Sequence, residues 1–264
     1  MLRGIYTGCM GMLAQWWDQN VTSNNLANVN STGYKKDVTV FKSIPHFQVH
    51  RINDEIVETP FGEVDKKPCI GNLGTGVVVD DVVTIFTQGP VKETGNKLDL
   101  ALVGSGFFTI QMMDKEEMYT RNGTFTLNRD GFLVTMQGNY VLGEKGPIQI
   151  KGEPVVRGDG VVLERLEKGY RLIDKLKLVD FQQKIGLIKR GDSLYSPTSL
   201  SGLAEPAKDI EVRQGFLEAS NVNVIHEMVN MIQVSRIYEA NQRTIRSMDD
   251  TLRRAVTDVG RVGG

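Results

Sequence analysis

Apolar residues recur every seven positions over the last fifth of the chain, and a second row follows three positions after the first. Heptad spacing keeps one narrow apolar stripe facing a partner helix, so the pattern predicts a long helix from Asn223 to Val259. Asn223 is a good N-cap residue, and no proline or glycine follows it before Gly260. The first row is Leu217, Val224, Met231, Tyr238, Ile245, Leu252 and Val259, and the second is Val234, Asn241, Met248 and Ala255.

The N-terminus carries a matching pattern. The spacing predicts a helix from Leu2 to about Val29, and Gly33 is a typical stop just beyond it. Polar Gln19 and Ser23 interrupt the two apolar rows of this helix. One row holds Leu2, Cys9 and Trp16, and the other holds Ile5, Met12 and Leu26.

The middle of the chain follows a different pattern. From residue 34 to 80, prolines and glycines interrupt every period, which predicts an extended connector with short strands. From 81 to 215, short β-branched and aromatic runs are bounded by glycines. The runs 124–127 and 132–135 flank an Asp-Gly pair, which predicts a β-hairpin. Many short strands with few helices indicate an antiparallel sandwich or barrel-like domain.

These patterns together predict an α+β fold. Its parts are paired, coiled-coil-like terminal helices, which form one discontinuous helical domain, and a central antiparallel β-rich domain. The predicted boundaries are 1–33 for the N-terminal helix, 34–80 for the connector, 81–215 for the β-rich domain and 216–264 for the C-terminal helix. A terminal helix has little of its own chain to pack against, so we expect the two ends to pack together and face other molecules.

Composition excludes several classes of protein. The chain has 31 basic and 32 acidic residues, so no overall charge favours nucleic acid or an acidic membrane surface. Its 2 cysteines are too few for a disulfide framework. No apolar run approaches the roughly eighteen residues of a membrane span. The N-terminal helix lacks the apolar core and cleavage site of a secretory leader, so we expect it to be retained.

Motifs that carry chemistry are also missing from the sequence. His46 and His50 are four residues apart, but Pro45 disfavours a long helix there and no third metal ligand is near. The glycines at 71–76 are in the wrong order for a nucleotide loop, and Ser105 lacks the spacing of a nucleophile elbow. We therefore expect no enzyme activity, no metal, no cofactor and no small-molecule substrate.

The most informative polar residues are four asparagines in the eight-residue run 23–30. Asparagine is a mediocre helix former, so helix propensity does not explain the run. One interpretation is a frayed helix end whose amides act as caps. The other is that these amides bond across helix–helix contacts and fix their register, as a buried asparagine does in coiled coils. Asn241, inside the C-terminal rows, favours the second interpretation.

Two signature-like segments carry a resemblance to a known family. Residues 23–35, SNNLANVNSTGYK, resemble the N-terminal signature of the bacterial flagellar rod and hook axial proteins. Residues 215–223, GFLEASNVN, resemble the second signature of that family, and residues 227–232 and 236–241 continue it. Between them, the short runs at 88–90, 98–102, 104–108 and 119–123 are similar to the β domain that the family shares. The resemblance covers nearly the whole chain in the right order.

The resemblance implies a rod subunit or, as the alternative, a distal-rod or hook-type axial subunit of the flagellar basal body. Such proteins leave through the flagellar type III export apparatus and bind copies of themselves and neighbouring axial subunits. They polymerise into a tube that crosses the periplasm, carries torque from motor to hook, and places the β domain outside the paired helices. The residues expected to contact other subunits are Ile5, Met12, Trp16, Asn24, Asn25, Leu26, Asn28, Gly33, Tyr34, Asn221, Met228, Met231, Tyr238, Asn241, Ile245 and Leu252.

Two other classes of protein compete with this interpretation. A secreted coiled-coil adhesin would also combine β-strands with helical arms, and its β face would bind a foreign ligand. An enzyme would need a pocket with perturbed titratable groups. Self-assembly of the purified protein distinguishes an axial subunit from an adhesin.

Overall fold

A helix lies at each end of the computed structural model, and short strands fill most of the sequence between them. The structure describes residues 2–44, 46–52, 56–59, 62–65, 67–166, 169–208 and 210–261. Helix α1 is Leu2–Ala27 and helix α2 is Val224–Arg261. Neither described helix is long and apolar enough to cross a membrane. The chain divides into unit 1, made of 1–23, 38–83 and 228–264, and unit 2, made of 24–37 and 84–227.

The predicted connector folds back on itself in antiparallel pairs. Strand β2 pairs with β5, and β3 pairs with β4, both antiparallel, while β1 and β6 form a further two-stranded sheet. These strands are β1 Asp37–Ser43, β2 Phe47–His50, β3 Ile56–Thr59, β4 Gly62–Asp65, β5 Cys69–Leu73 and β6 Val77–Thr84.

Helices α1 and α2 touch within unit 1 at three glycines of α1. A Cβ atom added to Gly8 would lie 2.9 Å from Cγ1 of Ile245. The equivalent atom on Gly4 would lie 2.6 Å from Met248 Cε, and on Gly11 3.1 Å from Asn241 Nδ2. The contacting residues rise in number from Gly4 to Gly11 along α1, while their partners fall from Met248 to Asn241 along α2. The two helices therefore run antiparallel here. Because glycine has no side chain, the two helix backbones can approach closely at these positions.

The heptad rows predict the inward face of α2 correctly. Val234 is only 5% exposed, and the other members of the two rows between 224 and 252 are half-buried. Ala255, in the second row, is exposed. Leu217 lies outside the helix, because residues 216–218 form a strand that pairs with residues 91–93. The helix begins at Val224, one residue after Asn223, the N-cap residue from which the heptad spacing predicted it.

Unit 2 holds the remaining strands. They are β7 Val91–Glu93, β8 Leu100–Gly104, β9 Phe107–Gln111, β10 Glu117–Thr120, β11 Phe125–Leu127, β12 Leu133–Thr135, β13 Tyr140–Val141, β14 Glu153–Val156, β15 Val161–Leu166, β16 Gly169–Lys175, β17 Leu178–Asp180, β18 Ile188–Lys189, β19 Leu194–Ser196, β20 Glu205–Pro206, β21 Ile210–Gln214 and β22 Phe216–Glu218. A short 3-10 helix lies at Lys184–Gly186.

The main sheet of unit 2 is antiparallel. In the described part of the chain it has nine strands, seven of them in the order β11, β12, β13, β9, β10, β19, β18, and β17 joins β9 to β20. Strands β14, β15 and β16 form a second sheet, while β21 pairs with β8 and β22 with β7. The hairpin predicted around Asp130-Gly131 is confirmed, since Phe125 pairs with Thr135 and Leu127 with Leu133.

The core of unit 2 lies on both faces of β9. Successive side chains of a strand point to opposite faces, so neighbouring Phe107 and Phe108 enter different clusters. Phe108 packs in an aliphatic-rich cluster with Leu100, Leu102 and Phe125. Phe107 packs in a mainly aromatic cluster that includes Tyr119, Phe181 and Tyr195, and several of these rings meet edge to face. Such ring pairs each add about 0.5–1.5 kcal/mol beyond the area that they bury.

Gly123 gives a test of this packing. A Cβ atom at Gly123 would lie 1.6 Å from the Leu100 carbonyl oxygen, so Gly123→Ala must displace backbone. We expect it to lower the free energy of unfolding by about 3 kcal/mol, the upper end of overpacking costs, as measured by urea denaturation. Gly158→Ala is the control, because its Cβ would make ordinary contacts with Glu211 Cγ at 3.6 Å and the Val212 carbonyl oxygen at 4.0 Å. Equal stability of the two variants would contradict the packing described.

Candidate assembly site

The asparagine run closes the end of α1 onto the chain that follows it. Asn25 is 2% exposed, and its Nδ2 donates to the Asp37 carbonyl at 2.8 Å while its Oδ1 accepts from the Asp37 N–H at 2.9 Å. The Tyr34 hydroxyl donates to Asn24 Oδ1 at 2.9 Å. These bonds fold the chain back at a turn in which Gly33 has φ +66°, a conformation that favours glycine.

Asn28 caps the same helix end. Its Nδ2 donates to the Asn24 carbonyl at 2.9 Å, and its Oδ1 accepts from the Ser31 hydroxyl at 3.2 Å. Half-buried Leu26 lies between the amides. The bond of Asn28 is that of the capping interpretation, whereas Asn25 and Asn24 bond Asp37 and Tyr34 of the chain that follows. Contact of these residues with another subunit stays a prediction.

Asn221, in the C-terminal signature, binds the chain just after the N-terminal signature. Its Oδ1 accepts from the Lys36 N–H at 2.8 Å, and its Nδ2 donates to the carbonyls of Ile85 at 2.8 Å and Thr87 at 3.2 Å. The Gly33 N–H also donates to the carbonyl of Glu218 at 2.8 Å. The two signatures are therefore hydrogen-bonded to each other within one chain.

Beneath these bonds lie three buried charges, here named the charge cluster: Lys35, Arg121 and Glu218. Lys35 Nζ lies 2.6 Å from Glu218 Oε1, and both side chains are wholly buried. Arg121 Nη1 lies 3.4 Å from Glu218 Oε2, with the Arg121 side chain 4% exposed. No pattern in the sequence distinguished these three residues, although each lies in a segment that carries the family resemblance. The signal available was a charged residue inside an otherwise apolar or amide-rich motif.

Backbone groups supply further hydrogen bonds to the charge cluster, while the buried Nε of Arg121 has no hydrogen-bond partner among the described residues. Lys35 Nζ donates to the Thr87 carbonyl at 2.8 Å, and Arg121 Nη2 donates to the Gly104 carbonyl at 2.7 Å. Glu218 Oε1 also accepts from the Gly89 N–H at 2.9 Å. A buried carboxylate that receives several donors in this way is far more stable than an unpaired one.

Burial and neighbouring charges shift the pKa values of Lys35, Arg121 and nearby Tyr34. Burial lowers the pKa of Lys35 below its ordinary value, while the charge of Glu218 opposes that shift. Burial likewise lowers the pKa of Arg121, again against the carboxylate of Glu218. Burial raises the pKa of Tyr34, helped by the negative charges of Asp37 and Glu227. Glu218 thus stabilises two cations that desolvation disfavours.

Unit 1 differs from unit 2 because most of its large apolar side chains face outwards. Among its described residues, only Ala14 and Val234 are buried apolar side chains. We name the exposed apolar residues of its two helices the apolar surface of unit 1. These residues are Tyr6, Leu13, Trp16, Trp17, Met228, Val229, Ile232, Ile237 and Val256.

The residues expected to contact other subunits fall into three groups. Trp16 and Met228 belong to the apolar surface of unit 1, each about half exposed at 49% and 50%. The helix residues that are half-buried within the chain are Ile5, Met12, Met231, Tyr238, Asn241, Ile245 and Leu252. The third group takes part in the network around the two signatures and comprises Asn24, Asn25, Leu26, Asn28, Gly33, Tyr34 and Asn221.

Asn221→Asp tests the link between the two signatures. Aspartate keeps the acceptor for the Lys36 N–H but faces the carbonyls of Ile85 and Thr87 with oxygen in place of a donor. We expect a loss of about 1–2 kcal/mol in the free energy of unfolding, measured with urea, because the part-buried Ile85 carbonyl loses its donor and faces a carboxylate oxygen. Asn30→Asp, at an exposed position of the first signature, serves as control and should change stability little. Similar losses in both variants would argue against the link.

Family models match three separate regions of the chain. One described as a flagella basal body rod protein matches residues 5–35. The D1 domain of the flagellar hook protein FlgE/F/G matches residues 101–163, and the C-terminal part of the flagellar basal body rod FlgEFG protein matches residues 213–258. The three matches follow the order along the chain that the resemblance implied.

Curated relatives match over nearly their whole length. A flagellar basal-body rod protein FlgG of Buchnera aphidicola is 33% identical over 96% of this chain and 98% of its own. A flagellar basal-body rod protein FlgF of Caulobacter vibrioides is 32% identical over 99% of this chain and 100% of its own. A hook-basal body complex protein FlhO of Bacillus subtilis is 29% identical with the same coverage.

Relatives of two kinds, named FlgF and FlgG, match this chain. In chain length and in the connector motif at 51–55 the sequence resembles the FlgF type in its spirochaete form most, with the FlgG type next, and this choice stays a prediction. Residues 53–55 of that motif lie outside the described residues. Relatives of both names are similar to this chain at about the same identity, so they support the wider group equally. The chain belongs to the family of bacterial flagellar basal-body rod proteins.

Proposed function

We propose that this chain is a structural subunit of the flagellar basal-body rod, and that it polymerises through its terminal helices. The observation that carries the proposal is the apolar surface of unit 1. A unit whose described residues bury only Ala14 and Val234 as apolar side chains has most of its apolar area left to cover. Burying such area is worth about 25 cal/mol per Å², so association with other subunits is favourable.

The occupant of this surface is a second copy of the chain or a neighbouring axial subunit. A patch that meets a different patch on the next copy forms heterologous contacts, which generate open helical assemblies when they do not close. The rod is such an assembly. The tube transmits torque from the motor to the hook across the periplasm.

The finer arrangement that we propose for the helices is coiled-coil-like pairing of α1 with α2 along their heptad rows. Contacts of Gly4, Gly8 and Gly11 with Asn241, Ile245 and Met248 of the α2 rows support pairing over about two turns of α1. These glycines lie beside the two predicted rows of α1 and not on them. The half-buried rows of α2 continue on either side of these contacts. In this arrangement Asn241 fixes the register of the helices, while Trp16 and Met228 meet other subunits.

The same proposal defines the remaining partners. The flagellar type III export apparatus delivers the subunit, and no nucleic acid, small-molecule substrate or cofactor is required. Membership of the rod family fits a role without catalysis. The alternative of a secreted adhesin is not favoured by that membership.

Ile232→Asp tests the proposal, because Ile232 is 53% exposed in the single chain. The carboxylate should therefore change the stability of the subunit by no more than about 0.5 kcal/mol. In a polymer that covers this residue, an unpaired carboxylate costs several kcal/mol per subunit. We expect a strain that produces only this variant to lack flagella, counted by electron microscopy, although the purified subunit unfolds in urea like the wild type.

Leu203→Asp is the matched control for this experiment. Leu203 is an exposed apolar residue of unit 2, at 88%, and lies outside the apolar surface of unit 1. This variant should build flagella in normal number. If the Leu203 variant loses its flagella while the Ile232 variant keeps them, the assembly surface has been assigned to the wrong unit.

A further inference from the structure

The charge cluster joins three parts of the sequence that are far apart. Lys35 lies in the N-terminal family match, Arg121 in the D1 match, and Glu218 in the C-terminal match. Lys35 and Glu218 are separated by 183 residues along the chain. All three side chains nevertheless meet in the interior of unit 2, with exposed fractions between 0 and 4%. Unit 2 is therefore not a product of its central strands alone.

The balance of charge makes Glu218 indispensable to this arrangement. Within the described residues, its carboxylate is the group with which both Lys35 and Arg121 form ion pairs. Without residue 218, two cations would be buried without that counter-charge, and the Gly89 N–H would lose its acceptor. Removing one partner of a buried ion pair is strongly destabilising, because the remaining charge keeps its desolvation cost.

The order of folding follows from sequence separation. Strands β9 and β10, β11 and β12, and β14 to β16 pair through short connections, so little chain entropy is lost when each pair forms. The contact between Lys35 and Glu218 closes a loop that contains almost all of unit 2, and closure entropy grows with loop length. Local hairpins should therefore form before the charges can be buried together.

We propose that the charge cluster is a closing contact, formed after the main folding barrier, which makes completion of unit 2 depend on both terminal segments. A chain that still lacks residue 218 keeps its β-hairpins but cannot bury Lys35 and Arg121. Unit 2 then stays open until the C-terminal segment arrives. This inference concerns the folding of the single chain and does not depend on the proposed function.

The test compares Glu218→Gln with Glu211→Gln in the full-length chain by stopped-flow folding in urea. Glu211 is an exposed carboxylate of β21 that pairs with Arg213, so its loss removes a charge without opening the interior. We expect Glu218→Gln to reduce the folding equilibrium constant at least tenfold more than Glu211→Gln. Nearly all of that loss should be a faster unfolding rate, with refolding changed less than twofold, which gives a φ value near zero.

Two results would overturn the proposal. One is a Glu218→Gln variant no less stable than the Glu211→Gln control. The other is a φ value near one, which would mean that the cluster is already formed in the transition state. If Glu218→Gln does not fold, Glu218→Asp replaces it in the experiment, because aspartate keeps the negative charge on a shorter side chain. For that variant too, we expect the loss of stability to come from faster unfolding, with little change in the refolding rate.

A triple variant separates the role of charge from the role of shape. Lys35→Met, Arg121→Met and Glu218→Met together replace the buried charges with flexible apolar side chains, a change that is often neutral or stabilising in other proteins. We expect the triple variant to recover at least tenfold in folding equilibrium constant relative to Glu218→Gln. A triple variant as unstable as the single one would show that burial of charge is not the reason for the dependence.

Discussion

The interaction on which unit 2 depends is the pairing of Glu218 with two buried cations. Its cost of desolvation is offset only when Lys35, Arg121 and the backbone donors and acceptors around them are all in place. That requirement brings the end of the first signature, the middle of the β unit and the second signature to one point. The asparagine and tyrosine bonds above it then fix the turn after α1 and the approach to α2.

The two units of the chain use the hydrophobic effect in different ways. Unit 2 encloses its aromatic and aliphatic side chains on both faces of β9, so it has an interior of its own. Unit 1 has helices that touch through glycines but leave tryptophans and branched aliphatic residues in solvent. A subunit of a polymer has reason for such a division. The covered interior gives each copy a defined shape, and the exposed apolar surface of unit 1 is the surface through which we propose that the copies associate.

The asparagine-rich run illustrates how one motif serves a fold before it can serve an assembly. One amide bonds the Asn24 carbonyl at the end of α1, where a helix leaves carbonyl groups without helical partners, and another bonds the backbone N–H and carbonyl of Asp37 at the start of β1. Short polar side chains suit this place because they reach nearby backbone groups at little conformational cost. The poor helix propensity of asparagine is therefore no disadvantage at a position where the helix has to end.

The sequence by itself determined the elements whose causes are local. Heptad spacing identified α2 and its inward face, and the Asp-Gly pair identified the hairpin of β11 and β12, because helix periodicity and turn chemistry act within a few residues. Leu217 fits the same heptad row but pairs with Lys92 in a strand, and spacing carries no information about that distant partner. Lys35, Arg121 and Glu218 gave no local signal of their meeting. Only the tertiary structure brings them together, because the free energy of a buried ion pair depends on groups that the chain must first fold to assemble.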